Sequence, residues 1–223
     1  MNQSLTPADN VRRKEDKTGY VTPMGIMPSV TTIIGLTAPE ESKRRLEQWL
    51  KRPGSAKESA LACKRGSWMH EQIENHLQGK PIKKHLAFGG YLNSILPWVK
   101  ENVIDPVGIE CPIWHPLGFS GTFDCLAHLV DDHVDDLTLL DWKSSKYRRS
   151  EDLIFGYKLQ CAAYRMGLSH TYLVTPNKAK IVIGRPAATM PDIWEIDEAE
   201  LIDLEAIFVE RLKQYQDQLI PVQ

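Results

Sequence analysis

The sequence predicts an α/β chain (α+β-like in the order of its elements), with a central mixed β-sheet bracketed by helices. Three observations predict it. Helix punctuation dominates the first hundred residues, three strand-like runs follow Asp105-Pro106, and one further helix then separates them from later strands. Helices and strands therefore mix without the regular alternation of a doubly wound sheet.

The elements follow in order. Residues 1–26 read as a polar, flexible tail ahead of a single domain over 27–223. In Met27-Pro28-Ser29-Val30-Thr31-Thr32-Ile33-Ile34-Gly35, Ser29 or Thr31 caps a short helix, or Val30 to Ile34 is a β stretch; periodicity leaves both open. Pro39 to Leu50 is helical, with Pro at its start, Glu40 and Glu41 in its first turn, and Lys51-Arg52 at its end. Pro53-Gly54 stops it. Ser55 to Leu77 gives a longer helix closed by Gly79 and Pro81, and a third runs from about Phe88 to Val103, kinked at Pro97.

Val107 to His115, Phe119 to Val130 and Asp136 to Lys143 then read as successive strands, the last two joined by the acidic stretch 131–136 as a tight connection. Ser150 caps a helix to Gly167, with Glu151 and Asp152 in its first turn. His170 to Thr175 and Lys180 to Arg185 are short strands split by Pro176-Asn177, and a last helix runs from Asp197 to about Leu219.

At 223 residues and 25.4 kDa, with 42% hydrophobic and 25% charged residues, the composition is that of an ordinary globular chain. Such a length buries about 70% of the unfolded surface without staples. No apolar run approaches the ~18 residues of a membrane span, and the start MNQSLTPADNVRRKEDK resembles neither a secretory signal nor a transit peptide. Cys63, Cys111, Cys125 and Cys161 form no CxxC pair, which argues against a disulfide framework or zinc site and for buried thiols in a reducing cytoplasm. The net charge of −2 hides an asymmetry: residues 1–100 carry 16 Lys+Arg against 9 Asp+Glu, and residues 101–223 carry 11 against 20. One half suits an anionic polymer, and the other can gather carboxylates around a cation.

The chemistry concentrates in Leu139-Leu140-Asp141-Trp142-Lys143. Alternation puts Asp141 and Lys143 on one face, about 7 Å apart, with Leu140 and Trp142 on the other. A strand that turns charged only at its end resembles an active-site edge; a simple ion pair at the strand exit is the alternative. One strand earlier stands Gly118-Phe119-Ser120-Gly121-Thr122-Phe123-Asp124. Gly121 marks the close approach of another group, and Asp124 sits among residues too apolar for an unpaired carboxylate. If these strands form an antiparallel hairpin, both aspartates converge near its open end, where a cation must separate them. All-oxygen sites of this kind suit Mg²⁺ or Mn²⁺.

His70 shares an inward helical stripe with Gly66, Ile73 and Leu77, either as a core histidine or as a ligand. His70-Glu71 with His76 is not a zincin motif, because that motif needs its histidines four apart and these are six apart. Gln160 and Tyr164 stack one above the other on their helix. The pair makes a helix–sheet hydrogen bond or holds a phosphate or base.

Taken together, His70 in a GxxxH helix, Glu110 before a strand, the GxxD of Gly121 to Asp124, the DxK of Asp141 to Lys143 and the QxxxY of Gln160 to Tyr164 resemble the RecB-like branch of the PD-(D/E)XK nuclease superfamily. Within it, Pro28-Ser29-Val30-Thr31, Leu46-Glu47-Gln48-Trp49 and Arg65-Gly66-Ser67-Trp68-Met69-His70 are similar to the mitochondrial genome maintenance exonuclease and its bacterial and phage relatives. The likeness covers about residues 27–175.

This resemblance implies a restriction-endonuclease-like mixed sheet flanked by helices, with a helical N-terminal part. It also implies Mg²⁺- or Mn²⁺-dependent hydrolysis of DNA, chiefly single strands or free ends, by a cytoplasmic enzyme of replication, recombination or repair. By motif, Asp124 and Asp141 are metal ligands, joined by His70 and the Trp142 carbonyl; Lys143 positions or activates the attacking water and stabilises developing charge. Gln160 and Tyr164 place the strand or support the site, and Glu110 matches an acidic residue that often precedes GxxD. Relatives with an iron–sulfur cluster use a C-terminal cysteine group, and no cysteine follows Cys161, so no cluster is expected. The basic helices before His70 (Arg65 among their cations) are expected to form a groove for the strand, and Ser144 and Lys146, just past the site, contact phosphates or belong to a solvated loop. Trp49 and Trp68 are stacking platforms or core residues. The alternatives are a structure-specific endonuclease of the same superfamily and a non-catalytic nucleic-acid-binding protein.

Overall fold

A computed structural model describes residues 4–16, 18–133 and 136–219. The segment expected to be a tail carries three short antiparallel strands, β1 (Arg12–Arg13), β2 (Tyr20–Thr22) and β3 (Gly25–Met27). They form a meander because Tyr20 and Met27 have a core to bury into, and because the Ser120 amide donates to the Pro28 carbonyl at 3.0 Å.

Four helices follow: α1 (Val30–Leu36), α2 (Glu40–Leu50), α3 (Ser55–Leu77) and α4 (Gly89–Asn102). Of the two readings open for Val30 to Ile34, the helix is realised. Ser29 is its N-cap and accepts from the Thr32 amide at 3.1 Å. Gly54 adopts φ 85°, which lets the chain turn from α2 straight into α3. Pro97 lies inside α4 without ending it.

The sheet is built from β4 (Val103–His115), β5 (Phe119–Leu129), β6 (Thr138–Ser144), β7 (Lys178–Gly184) and β8 (Asp192–Ile196), in that spatial order. The β6–β7 pair is parallel and its neighbours are antiparallel, so the sheet is mixed, as expected. Helix α5 (Glu151–Tyr172) makes the parallel crossover, and α6 (Glu198–Leu219) ends the described chain. The expected tight connection over 131–136 includes residues 134 and 135, which lie outside the described residues.

Two expectations are corrected here. His170 to Thr175 is not a strand: α5 runs on to Tyr172, and Leu173 at φ 58° ends it. Tertiary hydrogen bonds hold that extra turn, from Thr171 Oγ1 to the Trp114 carbonyl at 3.0 Å and from the Tyr172 hydroxyl to the Pro112 carbonyl at 2.8 Å. Ser150 occupies the N-cap of α5 with extended backbone, but its side chain makes no capping bond. Strand β8 was not anticipated; it pairs with β7 along the outer edge.

The sheet separates two cores. Phe119, Phe123, Leu139 and Ile181 pack with α1, α5 and α6 on one face. Leu140, Trp142 and Val182 pack with α3 and α4 on the other, where Trp142 meets Trp98 edge to face at 6.5 Å. A buried aromatic of this size contributes a few kcal/mol, about 3–5 on truncation. The two cores clamp β6 from both sides and so fix where its last residues point. No helix among the described residues is long and apolar enough to cross a membrane.

Candidate active site

The site forms where the sheet splits. Strands β5 and β6 pair only through Cys125–Leu140, Leu126–Leu139 and Ala127–Thr138. Beyond Leu140, β6 stays with β7 as far as Ser144, while β5 stays with β4 back to Phe119. The first unpaired residues on the two sides of the fork are Asp124 and Asp141. The Asp124 carboxylate takes over from the missing ladder, and its Oδ2 accepts the Trp142 N–H at 2.7 Å.

The backbone is also irregular at this level. Phe123 faces the α5 side, whereas Cys125 and Ala127 face the α3 side, so the alternation expected along β5 reverses across Asp124. On β4, Ile109 pairs with Cys125 and Cys111 with Phe123, which sets Glu110 opposite Asp124. Glu110 takes φ 49°, a left-handed conformation that costs a non-glycine residue about 1–2 kcal/mol and is common where function holds it.

Helix α3 crosses over this fork and supplies His70. Its Nε2 lies 2.7 Å from the Trp142 carbonyl oxygen. Its Nδ1 lies 3.5 Å from Asp124 Oδ1 and 3.7 Å from Glu110 Oε1. One ligand atom each from His70, Glu110 and Asp124 falls within a span of 4.8 Å. Of the two readings open for His70, the structure places it at the site and not in the apolar core. Asp141 is not a member of that tight group. Its carboxylate is buried, and its Oδ2 is ion-paired with Lys143 Nζ at 2.5 Å.

Charge states follow from this packing. Burial opposes a charged His70, but the Asp124 charge and then Glu110 hold the proton and raise its pKa to about 9. Burial raises Asp141 to about 6, with Lys143 restraining the rise and Asp124 adding to it. Burial likewise opposes a charged Lys143, but Asp141 and Asp124 push its pKa upward, so it stays an ammonium.

A divalent cation suits this donor set. Two carboxylates and an imidazole, from Asp124, Glu110 and His70, converge within 4.8 Å, and the buried Asp141 carboxylate, paired with Lys143, stands across the fork on the neighbouring strand. Carboxylates gathered this closely repel one another unless positive charge lies between them. An oxygen-rich set with one nitrogen fits Mg²⁺ or Mn²⁺.

The site opens into a cleft of about 500 Å³ whose floor includes Gly121, Thr122, Asp124 and Tyr164. Gly121 is needed there: a Cβ would sit 2.6 Å from the Tyr164 ring. Gln160 does not line the cleft. It donates to the Tyr164 hydroxyl at 2.9 Å, a brace within α5 that is neither the helix–sheet bond nor the ligand contact expected of the pair.

Arg65 is tied down at the end of β6, donating to Ser144 Oγ at 3.0 Å and stacking over Tyr91 at 4.5 Å. Lys146 stands over the exposed Tyr147 ring. Arg65, Ser144 and Lys146 are not among the residues lining the cleft. Trp68 is half-buried against His85 and Phe88, which favours packing over stacking on a ligand. Sequence reasoning missed Arg13, Tyr20, Ser67, Glu71 and Glu74 on the cleft walls. The signal for the two glutamates was present, since positions one and four after His70 flank it on the helix.

No protein-family model matches the chain, and no curated protein does. Among solved structures it is similar to one described as the crystal structure of SSO0001, at 15% identity over 82% of this chain and 74% of that one, with a TM-score of 0.39.

Proposed function

We propose that this protein is a Mg²⁺- or Mn²⁺-dependent deoxyribonuclease of the PD-(D/E)XK type, acting as an exonuclease on single strands or free ends in DNA replication, recombination or repair, within the cytoplasm. The observation that carries the reading is the forked sheet. Asp124 and Asp141 stand at the first positions of the two separating strands, His70 and Glu110 close over Asp124, and a charged lysine touches Asp141.

His70, Asp124, Asp141 and the Trp142 carbonyl would hold the cation, with Glu110 beside them. Such an ion, when bound, acidifies a water and neutralises a phosphate oxygen. Lys143 is held as an ammonium between Asp141 and the Tyr157 ring, 5.1 Å away. Its part is to hold the attacking water by donation and to offset charge growing on the phosphate. Tyr164, braced by Gln160, fixes the floor beside Gly121.

The helices before His70 carry a basic surface. Helix α2 buries none of its side chains; with the turn after it and the exposed first half of α3 it carries Lys43, Arg44, Arg45, Lys51, Arg52, Lys57 and Lys64. Its outward-facing cations suit a phosphate backbone, and Trp49 on the same arm suits base stacking.

End-labelled single-stranded oligonucleotides with Mg²⁺ or Mn²⁺ test the reading. Ladder-wise shortening of linear DNA, with circular single strands resistant, is the expected result. Cleavage of circles selects an endonuclease, and protein that binds DNA but stays inert with every divalent metal selects a binding module.

A further inference from the structure

The N-terminal meander forms a wall of the catalytic cleft, and its placement carries a further inference that rests on the nuclease reading. Arg13 pairs directly across from Tyr20, so both side chains lie on one face of the meander. Tyr20 fixes which face that is: it is buried, and its hydroxyl is 2.9 Å from Thr122 Oγ1 on the cleft floor. Arg13 accordingly lines the cleft, whereas Arg12, one position earlier, does not.

The wall is fixed in place. The Leu5 amide donates to the Val107 carbonyl at 2.6 Å, the Ala8 amide to the Tyr172 hydroxyl at 3.1 Å, and Ser120 reaches the Pro28 carbonyl through both its amide and its hydroxyl, each at 3.0 Å. Opposite stands α3 with His70, Glu71 and Glu74.

Arg13 is the one lysine or arginine among the described residues that line this cleft, and no described residue forms an ion pair with it. An anionic polymer entering so acidic a cleft needs a cation on the wall away from the carboxylates. A guanidinium supplies two parallel donors to one phosphate.

We propose that Arg13 is a substrate-binding residue, gripping a backbone phosphate of the DNA strand from the wall facing α3 and so setting the strand's register over the forked sheet. The wall that does this is a segment whose polar composition reads as a tail.

The test compares Arg13→Ala, Arg13→Lys and Arg12→Ala, each in the full chain carrying Lys143→Met to suppress turnover. Binding of a fluorescent oligothymidylate is measured with Mn²⁺ across a salt series. Arg13→Ala is expected to weaken binding about five- to tenfold and to lower the slope of log K against log salt by about 0.7, the loss of one single-strand phosphate contact. Arg13→Lys should keep the slope, and Arg12→Ala should match the parent.

Arg13→Ala indistinguishable from Arg12→Ala overturns the inference and leaves the nuclease reading intact. An unchanged slope with tighter Mn²⁺ binding also overturns it, because Arg13 then only neutralises the cleft acids. A chain with Lys143 intact that neither binds nor cuts DNA overturns the nuclease reading itself.

Discussion

The Asp124 carboxylate accepts the backbone N–H of Trp142 at 2.7 Å, a bond the β5 backbone would make if the strands had stayed paired. One side chain thus holds the fork in shape while turning its other oxygen toward His70. Structure and chemistry are separable at this residue. Asp124→Asn keeps a carbonyl oxygen for the Trp142 amide and loses the charge, so it should fold within about 1 kcal/mol of the parent while activity falls at least ~100-fold. Asp124→Ala orphans a buried N–H and should cost about 1–3 kcal/mol more. Denaturant unfolding alongside nuclease assays separates the two, and equal stability losses would contradict the bracing role.

Lys143 restrains the pKa of a carboxylate that burial has already raised to about 6. Without the ammonium, burial and Asp124 are opposed only by the weaker pull of His70, and the Asp141 pKa climbs further. An acid whose folded pKa lies above the unfolded value destabilises the fold at pH above that folded pKa, and the cost fades as pH falls through it. Lys143→Ala should therefore be most destabilising at pH 8, by about 3–5 kcal/mol, and milder at pH 5. Urea titrations in chelator at the two pH values check this; a loss independent of pH would mean that Asp141 is not the group responsible.

How much of this was legible in the sequence depends on how local each signal is. Strand alternation placed Asp141 and Lys143 together, and helix spacing placed Gln160 under Tyr164, because both rest on a repeat of two to four residues. The fork was less legible. It coincides with a left-handed Glu110 opposite Asp124 and a reversal of alternation, and no residue type at either position announces this. The meander was missed for another reason: strands of two and three residues are too short to show a period. Tyr20 becomes a floor contact only through Thr122, about a hundred positions away. The last turn of α5 likewise depends on Trp114 and Pro112 as partners.

On the proposed reading, His70 sets the pH range of metal binding. Its pKa of about 9 lies above the unfolded 6.5, so the proton's stabilising contribution is complete below 6.5 and is lost as pH rises through 9. A ligating imidazole must give up that proton. Between pH 7 and 9 the apparent Mn²⁺ affinity should rise about tenfold per unit, one proton being displaced per ion. His70→Asn should flatten that slope as well as weaken binding. Calorimetry in buffers of different ionisation enthalpy counts the proton directly, and a pH-independent affinity in the parent would remove His70 from the ligand set.

Gly121 is the point where α5 presses on the sheet. A Cβ there would lie 2.6 Å from Tyr164 Cε1, and the ring cannot retreat freely because Gln160 holds its hydroxyl at 2.9 Å and the side chain is buried. Gly121→Ala should cost about 1–3 kcal/mol through overpacking and should also lower activity, since the displaced ring forms part of the floor beside Asp124. Tyr164→Phe keeps the ring and frees it from Gln160. Alone it should cost about 1 kcal/mol, the worth of one buried hydrogen bond. Combined with Gly121→Ala it should recover part of the lost stability, because the unbraced ring can shift. A double-mutant cycle with a coupling of at least ~0.5 kcal/mol in that direction is the expected outcome. Strict additivity would show that the collision is relieved elsewhere, through movement of β5 and not of the tyrosine.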